Sequence, residues 1–468
     1  MNSFWTRVTS MRGSGQFFSG ALPIYVSRAP GRLDLMGGNV DYTGGLVFQR
    51  TIAEATWAAA QARNDRCIVL WNPQMALEGW QERVDCSLDE LSDDAAVRAL
   101  VNRDAQVRWT AYVLGVFHWL RLHYADRVAS GATVYIESQV PLNKGVSSSA
   151  AVEVAVMKAV AWSYGIDLAG IELAEACQWT ENVIAESACG IMDQAASVLG
   201  DEDCVLPLIC QPCTPRPLVK LPVNLRCWAI DSGVRHAVTG IEYEAARAAA
   251  FVGYAMICRQ ENLPFTQDNT GRIPRFVEPR WNGYLSNILP SVFRSCYEEH
   301  LPERISGENV LALGIAHPDP FTAIRPEVNY RVRACTRYAI DENQRIEMFV
   351  ELARGAGSHV SADVGRLIGD LMFQSHWSYT ECGLGCEDTD ILIEFVRKEC
   401  SPGRLFGAKI TGGGGGGTVA VLGPSNGEPA FQRVVESYAA HRGARPYIFE
   451  GSSQGADRYG VHIIEADA

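Results

Sequence analysis

Residues 141–151 read PLNKGVSSSAA and run directly into VEVAVMKAVAWSYG, a strongly apolar helical segment. A glycine and three serines at such a junction predict a tight turn opening a buried helix. The start of a helix leaves several backbone N–H groups unpaired and carries partial positive charge. Small residues there let an anion approach the backbone closely. Gly145 supplies the turn, and Ser147, Ser148 and Ser149 add hydroxyl donors, one of which can turn towards a metal ion. Two readings stand: a phosphate cradle, or simple capping, for which a single serine suffices. The segment is not a Walker A loop, because GxxxxGK[ST] is absent.

A second glycine run, Gly412 to Gly417, sits between the strand candidates GAKI and TVAVL. Glycine loses more backbone freedom on folding than any other residue. Six together, Gly413 and Gly414 among them, read either as a loop passing very close to phosphates or to the first loop, or as a hinge.

With 468 residues the chain exceeds what one core usually serves, so two domains are expected. Strands are predicted in IYVSRAPGRLDL, LVFQRTIAEATWAAAQA, RCIVLWN, ATVYIESQV and CWAIDSGV. Helices are predicted over 105–124, 168–186, 342–354 and 359–376, and from about Gly240. The fold class is therefore α/β (α+β). Pro207, Pro212, Pro215, Pro217 and Pro222 punctuate the middle, which divides the chain into 22–210 and 211–468. Residues 259–330, rich in Pro, Asn and aromatic residues, follow no periodic pattern.

Lys plus Arg is 41 against 54 Asp plus Glu, a net charge of −13 that disfavours a nucleic-acid partner. Hydrophobic residues make up 47% and charged residues 20%, which excludes disorder. The 14 cysteines are scattered singly and read as buried thiols. MNSFWTRVTSMRGSGQFF lacks the pattern of a signal peptide, and no run of about 18 apolar residues suggests a membrane span. A cytoplasmic location without a membrane partner is the expectation.

Taken together, RAPGRLDLMGGNVDYTGG (28–45), VPLNKGVSSSAAVEVA (140–155) and GAKITGGGGGGTVAVL (407–422) resemble the three motifs of the GHMP kinase superfamily, in its galactokinase branch. CGIMDQ (189–194) and WTAYVLG (109–115) extend the match. The resemblance implies a two-domain fold with the active site in the cleft between domains, a monosaccharide and ATP as partners, Mg²⁺ as cofactor, and a monomer or homodimer. It implies Asp193 as catalytic base with Arg32 beside it. Ser149 and Glu181 would hold the metal, and Trp109 would lie near the adenine. Asp41 would grip sugar hydroxyls, with Gly38, Asn39, Gly190 and Tyr243 completing the sugar site. Taken singly, Asp193 also reads as a cap or as an ion-pair partner of Arg32, and Tyr243 and Trp109 as core aromatics. Lys144 and Arg28 read equally as solvated charges.

Phosphoryl transfer is mostly positioning and charge neutralisation. A carboxylate within about 3 Å of the attacking hydroxyl can accept its proton. Galactokinases usually carry Glu-His-Thr-Asp where this chain has Gly38-Asn39-Val40-Asp41. The Glu and His of that pattern serve the exocyclic hydroxymethyl of galactose. L-arabinose is galactose without that group, and QSHWSYTECGLGCEDTD (374–390) also resembles the L-arabinokinases. The expected reaction is L-arabinose to L-arabinose 1-phosphate. Asn39 keeps galactose open as a substrate, and a non-catalytic sugar and nucleotide sensor is the alternative of another class. Galacturonate is disfavoured, since the first motif carries no extra Lys or Arg to meet its carboxylate. Glu and His placed at 38 and 39 are expected to raise galactose use.

Overall fold

The computed structural model describes residues 3–15, 17–234, 240–269, 275–400 and 404–467. Its first sheet is built on two long strands, Ile24–Met36 and Leu46–Ala62, paired antiparallel. Beyond Leu46–Ala62 lie Ala132–Ser138, Cys67–Trp71 and Arg83–Ser87, in that order. Cys67–Trp71 and Ala132–Ser138 are the parallel pair in this sheet. Cys204–Ile209 joins the opposite end of Leu46–Ala62, and His462–Ile464 closes the edge against Ile24–Met36. The pairing of the two long strands shifts register between Pro30 and Arg32, and again between Asp34 and Met36. Such bulges re-aim side chains, and here they bracket Arg32 and Asp34.

The helix Ser148–Ser163 packs across both long strands. It is buried on nearly every face, as its predominantly apolar sequence requires. The second sheet runs Gly407–Thr411, Thr418–Pro424, Leu225–Asp231, Ile448–Glu450, all antiparallel. Helices Ala362–Glu381 and Glu387–Glu399 cover it, and Ile241–Gln260 packs against Val332–Gly355.

One hydrophobic cluster takes in Leu33, Val154, Tyr254, Phe349 and Ile410. It therefore draws on both sides of residue 210, and the short strands Thr214–Pro215 and Val219–Lys220 pair with Cys204–Ile209 of the first sheet. The sheets are tied where the first motif meets the third. Lys409 Nζ lies 2.8 Å from Asp34 Oδ2 with both side chains wholly buried, and Asp34 N–H donates to Thr411 Oγ1 at 2.7 Å.

Several predicted helices differ in extent. The 105–124 segment divides into a 3-10 turn, Ala105–Thr110, and the helix Ala111–His123. Asp104 caps the turn by accepting from Gln106 N–H at 2.9 Å. The 168–186 segment becomes Gly170–Trp179 followed by a π-helical turn, Thr180–Ile184. Val332–Gly355 begins ten residues before its predicted start, and Ala362–Glu381 begins where Ser361 caps it. Ser3–Ser14 forms a helix without an amphipathic pattern. Phe4 and Val8 hold it in an aromatic cluster with Trp57 and Tyr135. In 259–330, Glu278 organises the chain by accepting from Tyr254 Oη, Arg280 N and Trp281 N at 2.6, 2.6 and 2.8 Å.

Candidate active site

The 141–151 turn is built from left-handed backbone: Asn143, Gly145 and Ser147 have φ of 58°, 69° and 60°. Ser147 stands at the N-cap of Ser148–Ser163 but makes no side-chain cap bond. Its hydroxyl instead donates to Asp193 Oδ2 at 2.6 Å. The first-turn amides thus receive no cap from it, which leaves them available to an anion. The glycine strip lies directly on this turn. A Cβ at Gly412 would stand 2.5 Å from the Gly145 carbonyl oxygen, and one at Gly417 would stand 2.8 Å from that of Lys144. Close approach, not hinging, explains the glycines at those positions, and the partner is the first loop. Gly413 is partly exposed and Gly414 is packed on Leu384. Lys144 is an anchor here: its Nζ lies 2.9 Å from Asp231 Oδ2, and its carbonyl accepts from Thr418 Oγ1 at 2.8 Å.

Asp193, in the first turn of Met192–Leu199, is the hub of the cluster. Its Oδ1 accepts from Arg32 Nε at 3.0 Å and from Arg32 Nη2 at 2.7 Å. Arg32 Nη1 donates to the Gly145 carbonyl at 2.8 Å, and its backbone N–H donates to Val146 O at 3.1 Å. One arginine thereby locks the first strand to the loop and to Asp193. The ion-pair reading of Asp193 is present in fact, and Ser147 occupies its other oxygen.

Glu181 sits on the π-helical turn, a deformation often found at functional sites. Its carboxylate is hydrogen-bonded by Ser149 and accepts from Gln194 Nε2 at 2.6 Å. Burial, with the charge of Asp193 second, pushes its pKa up to about 7. The same Gln194 Nε2 donates to Glu153 Oε2 at 3.1 Å. Burial and then the charge of Glu181 hold Glu153 well above the usual carboxylate range. Glu153 Oε1 and Gln194 Oε1 are buried acceptors with no donor. The Ser149 hydroxyl and the Glu181 carboxylate are hard oxygen donors of the kind a divalent cation that keeps water and phosphate ligands takes. Among the described residues no group of three or more His, Cys, Asp or Glu is placed to hold a metal ion by itself.

Asp41 lies on the other side of Asp193. Its Oδ1 accepts from Tyr42 N–H at 3.0 Å, and Oδ2 receives Met192 N–H at 3.4 Å. Burial first, then the charge of Asp193, raise its pKa to about 6, while Arg247 opposes them. Gly190 is glycine because a Cβ would collide with the Asp41 carboxylate. Asn39 is 3% exposed, left-handed at φ 57°, and its Nδ2 has no partner. Gly38 donates nothing from a side chain, but its carbonyl accepts from Tyr338 Oη at 2.7 Å. Tyr243 meets Tyr42 edge-on at 6.0 Å between ring centroids, and burial raises its phenol.

A cavity of about 160 Å³ opens beside Asp41 and Gly190. Tyr42, Arg247, Asp319 and Phe321 form part of its wall. Arg247 lies 4.8 Å over the Tyr42 ring and pairs with Asp319 through Nε and Nη2 at 2.8 and 2.9 Å. This pair joins the unpatterned 259–330 stretch to Tyr42 of the first motif.

Arg32, Gly145, Ser147, Ser149, Glu181 and Asp193 are therefore one connected set, with Asp41 and Gly190 adjoining. Trp109 is anchored by its indole N–H, which donates to Gln81 O at 2.9 Å. Its neighbour Tyr112 is the aromatic beside the carboxylates, where Glu181 and Glu153 add to the effect of burial on its phenol. Arg28 is structural, donating to Ala53 O at 2.8 Å. Sequence reasoning missed Glu153, Gln194, Arg247, Asp319 and the Asp34–Lys409 pair. Glu153 and Gln194 lie inside recognised motifs, so a charged or amide side chain at a buried helix position was the available signal.

Known proteins resemble this chain in sequence and in fold. Residues 111–201 match the GHMP kinases N terminal domain, and residues 16–62 match the galactokinase galactose-binding signature. L-arabinokinase of Arabidopsis thaliana is 34% identical across 97% of this chain, which spans 48% of that protein, about half its length. Galactokinase of Chloroflexus aurantiacus is 30% identical, with 92% of each chain covered. The fold matches Lactococcus lactis galactokinase complexed with galactose at a TM-score of 0.73 and 20% identity, covering 98% of this chain and all of the other. It matches Methanococcus jannaschii mevalonate kinase at 0.56 and 14% identity, covering 92% of this chain and 98% of the other. The family is thus settled by sequence and fold together: the chain belongs to the galactokinase branch of the GHMP kinases.

Proposed function

We propose that the chain transfers the terminal phosphoryl group of ATP to the anomeric hydroxyl of a monosaccharide, with L-arabinose as substrate and L-arabinose 1-phosphate and ADP as products. The observation that carries this reading is the Arg32–Asp193–Ser147 cluster. It lies between a helix start suited to phosphates and the buried carboxylate of Asp41. The anomeric oxygen attacks the terminal phosphorus, the bond to the leaving ADP oxygen breaks, and the hydroxyl proton passes to Asp193. Arg32 holds Asp193 in place and faces the charge of the transferred group. Gly145 and Ser147 to Ser149 line the triphosphate, with the strip at Gly413 and Gly414 above them. Asp41, Asn39 and Tyr243 orient the sugar. Ser149 and Glu181 would hold Mg²⁺, which when bound neutralises phosphate charge.

A second substrate reading, galactose, is favoured by the unpartnered Asn39 Nδ2, which can donate to an exocyclic hydroxyl. Parallel assays with Mg-ATP and L-arabinose, galactose, galacturonate or glucuronate separate the readings through kcat/KM. Galactose exceeding arabinose severalfold reverses the two. Turnover of none supports the sensor.

A further inference from the structure

The strand Ile24–Met36 passes straight into Gly37-Gly38-Asn39, and this turn is gripped from three sides. Glu342 Oε1 accepts from Gly37 N–H at 3.2 Å. Tyr338 Oη donates to the Gly38 carbonyl at 2.7 Å. On the third side stands Asp34. A Cβ at Gly38 would lie 2.6 Å from Asp34 Oδ2, with the Tyr379 ring and the Gly412 carbonyl oxygen each 3.4 Å away. Gly38 lies outside the left-handed region, so its backbone would accept alanine. The obstacle is the carboxylate alone.

That carboxylate has nowhere to go. Lys409 Nζ holds Oδ2 at 2.8 Å, and Gln49 Nε2 holds Oδ1 at 2.8 Å. Both members of the ion pair have 0% of their side-chain surface exposed. Swinging Asp34 aside would leave a buried ammonium without its counter-charge, which is strongly unfavourable. Lys409 is pinned in turn, donating to Ile410 O at 2.7 Å.

We infer that the buried Asp34–Lys409 pair is a specificity-determining positioning element of the sugar site. It reserves position 38 for glycine and leaves Asn39, through its free Nδ2, to meet a substrate hydroxyl at that corner. The inference rests on the reading of the 37–41 segment as sugar-binding. It also changes the outlook for a glutamate placed at 38. Such a side chain would start against Asp34 and bring a second carboxylate to a single lysine, so the substitution alone would not add a galactose contact.

The test is a double-mutant cycle on the full chain. Gly38→Ala is combined with Asp34→Ala/Lys409→Met, which removes both buried charges together. L-arabinose and galactose kinetics, the KM for ATP and the melting temperature are read for each variant. Gly38→Ala in the otherwise native chain is expected to raise the KM for sugar about tenfold or more, with the KM for ATP changed by less than about twofold. In the Asp34→Ala/Lys409→Met background the same change should cost less than about twofold. Asp34→Asn/Lys409→Gln, which keeps a polar group of the same volume beside Gly38 but removes the charges that pin it, should give Gly38→Ala a cost between those in the native and Asp34→Ala/Lys409→Met backgrounds. If Gly38→Ala alone gives no folded protein, recovery of a cooperative melt in the triple variant reports the same coupling. Equal cost of Gly38→Ala in all backgrounds, or no cost in the native chain, overturns the inference. A native chain that phosphorylates no monosaccharide defeats the proposed function instead, while the melting arm still tests the pair.

Discussion

Arg32 closes a two-pronged grip on a single oxygen of Asp193, with Nε at 3.0 Å and Nη2 at 2.7 Å from Oδ1. The other oxygen is met by Ser147, so the carboxylate is fixed in orientation before any substrate arrives. Asp193→Asn keeps the shape and removes the proton acceptor. Turnover is expected to fall about 10²- to 10⁴-fold, while nucleotide binding, followed by calorimetry, persists. Preserved turnover would reject Asp193 as the base. Arg32→Lys should also lose activity, since an ammonium cannot supply the same fork.

The glycine strip makes a separable prediction. Gly412 has φ 80° and would place a Cβ 2.5 Å from the Gly145 carbonyl oxygen. Gly412→Ala should push the first loop away and raise the KM for ATP about tenfold or more, with a smaller effect on sugar KM. A sugar-only defect would show that the strip serves the other substrate.

Gly190→Ala acts on the opposite half. Its Cβ would displace the Asp41 carboxylate. The expected result is a rise in sugar KM of about tenfold or more at nearly constant KM for ATP, measured by varying each substrate in turn.

Asp41 also gives a pH dependence with a definite sign. Its pKa is raised from 3.8 to about 6, burial being the first cause. The ligand-free fold therefore prefers the protonated form. Its contribution to stability is complete below about pH 4 and is lost as pH rises through about 6. Glu181, raised to about 7 chiefly by burial, adds a loss of the same sign at higher pH. The melting temperature of Asp41→Asn should fall less than that of the native chain between about pH 4 and 6. Identical slopes would contradict the burial of the ionised group.

Asn39→Ala removes the free Nδ2. Galactose kcat/KM should fall more than that of L-arabinose, by about threefold or more in their ratio, since a lost donor matters only to a sugar that offers it an acceptor. An unchanged ratio would place Asn39 away from the exocyclic group.

The long strands, the apolar helix after the serines and the strand–glycine–strand unit at 407–422 were legible because each follows a local rule. Period-two or helical patterning and turn residues suffice to mark them. The Ser3–Ser14 helix was not legible, because its stability comes from Phe4 and Val8 packing against Trp57 and Tyr135, far away in sequence. The break at Thr180–Ile184 likewise escaped a helical pattern that continues through it.

What the sequence by itself determined is the set of motifs: a serine-lined helix start, a glycine strip, and the acidic and basic residues of Arg32, Asp41, Glu181 and Asp193. These are local choices of small, flexible or charged residues at fixed spacing, and they carry the family. The tertiary structure decided the pairings. Ser147 turns to Asp193 instead of capping its helix, Gln194 bridges two buried carboxylates, and Asp34 meets Lys409 across the junction of the two sheets. Hydrogen bonds and buried ion pairs depend on distances of a few ångströms between residues that here stand from 13 to 375 positions apart. No local pattern encodes such distances, and only the packed fold sets them.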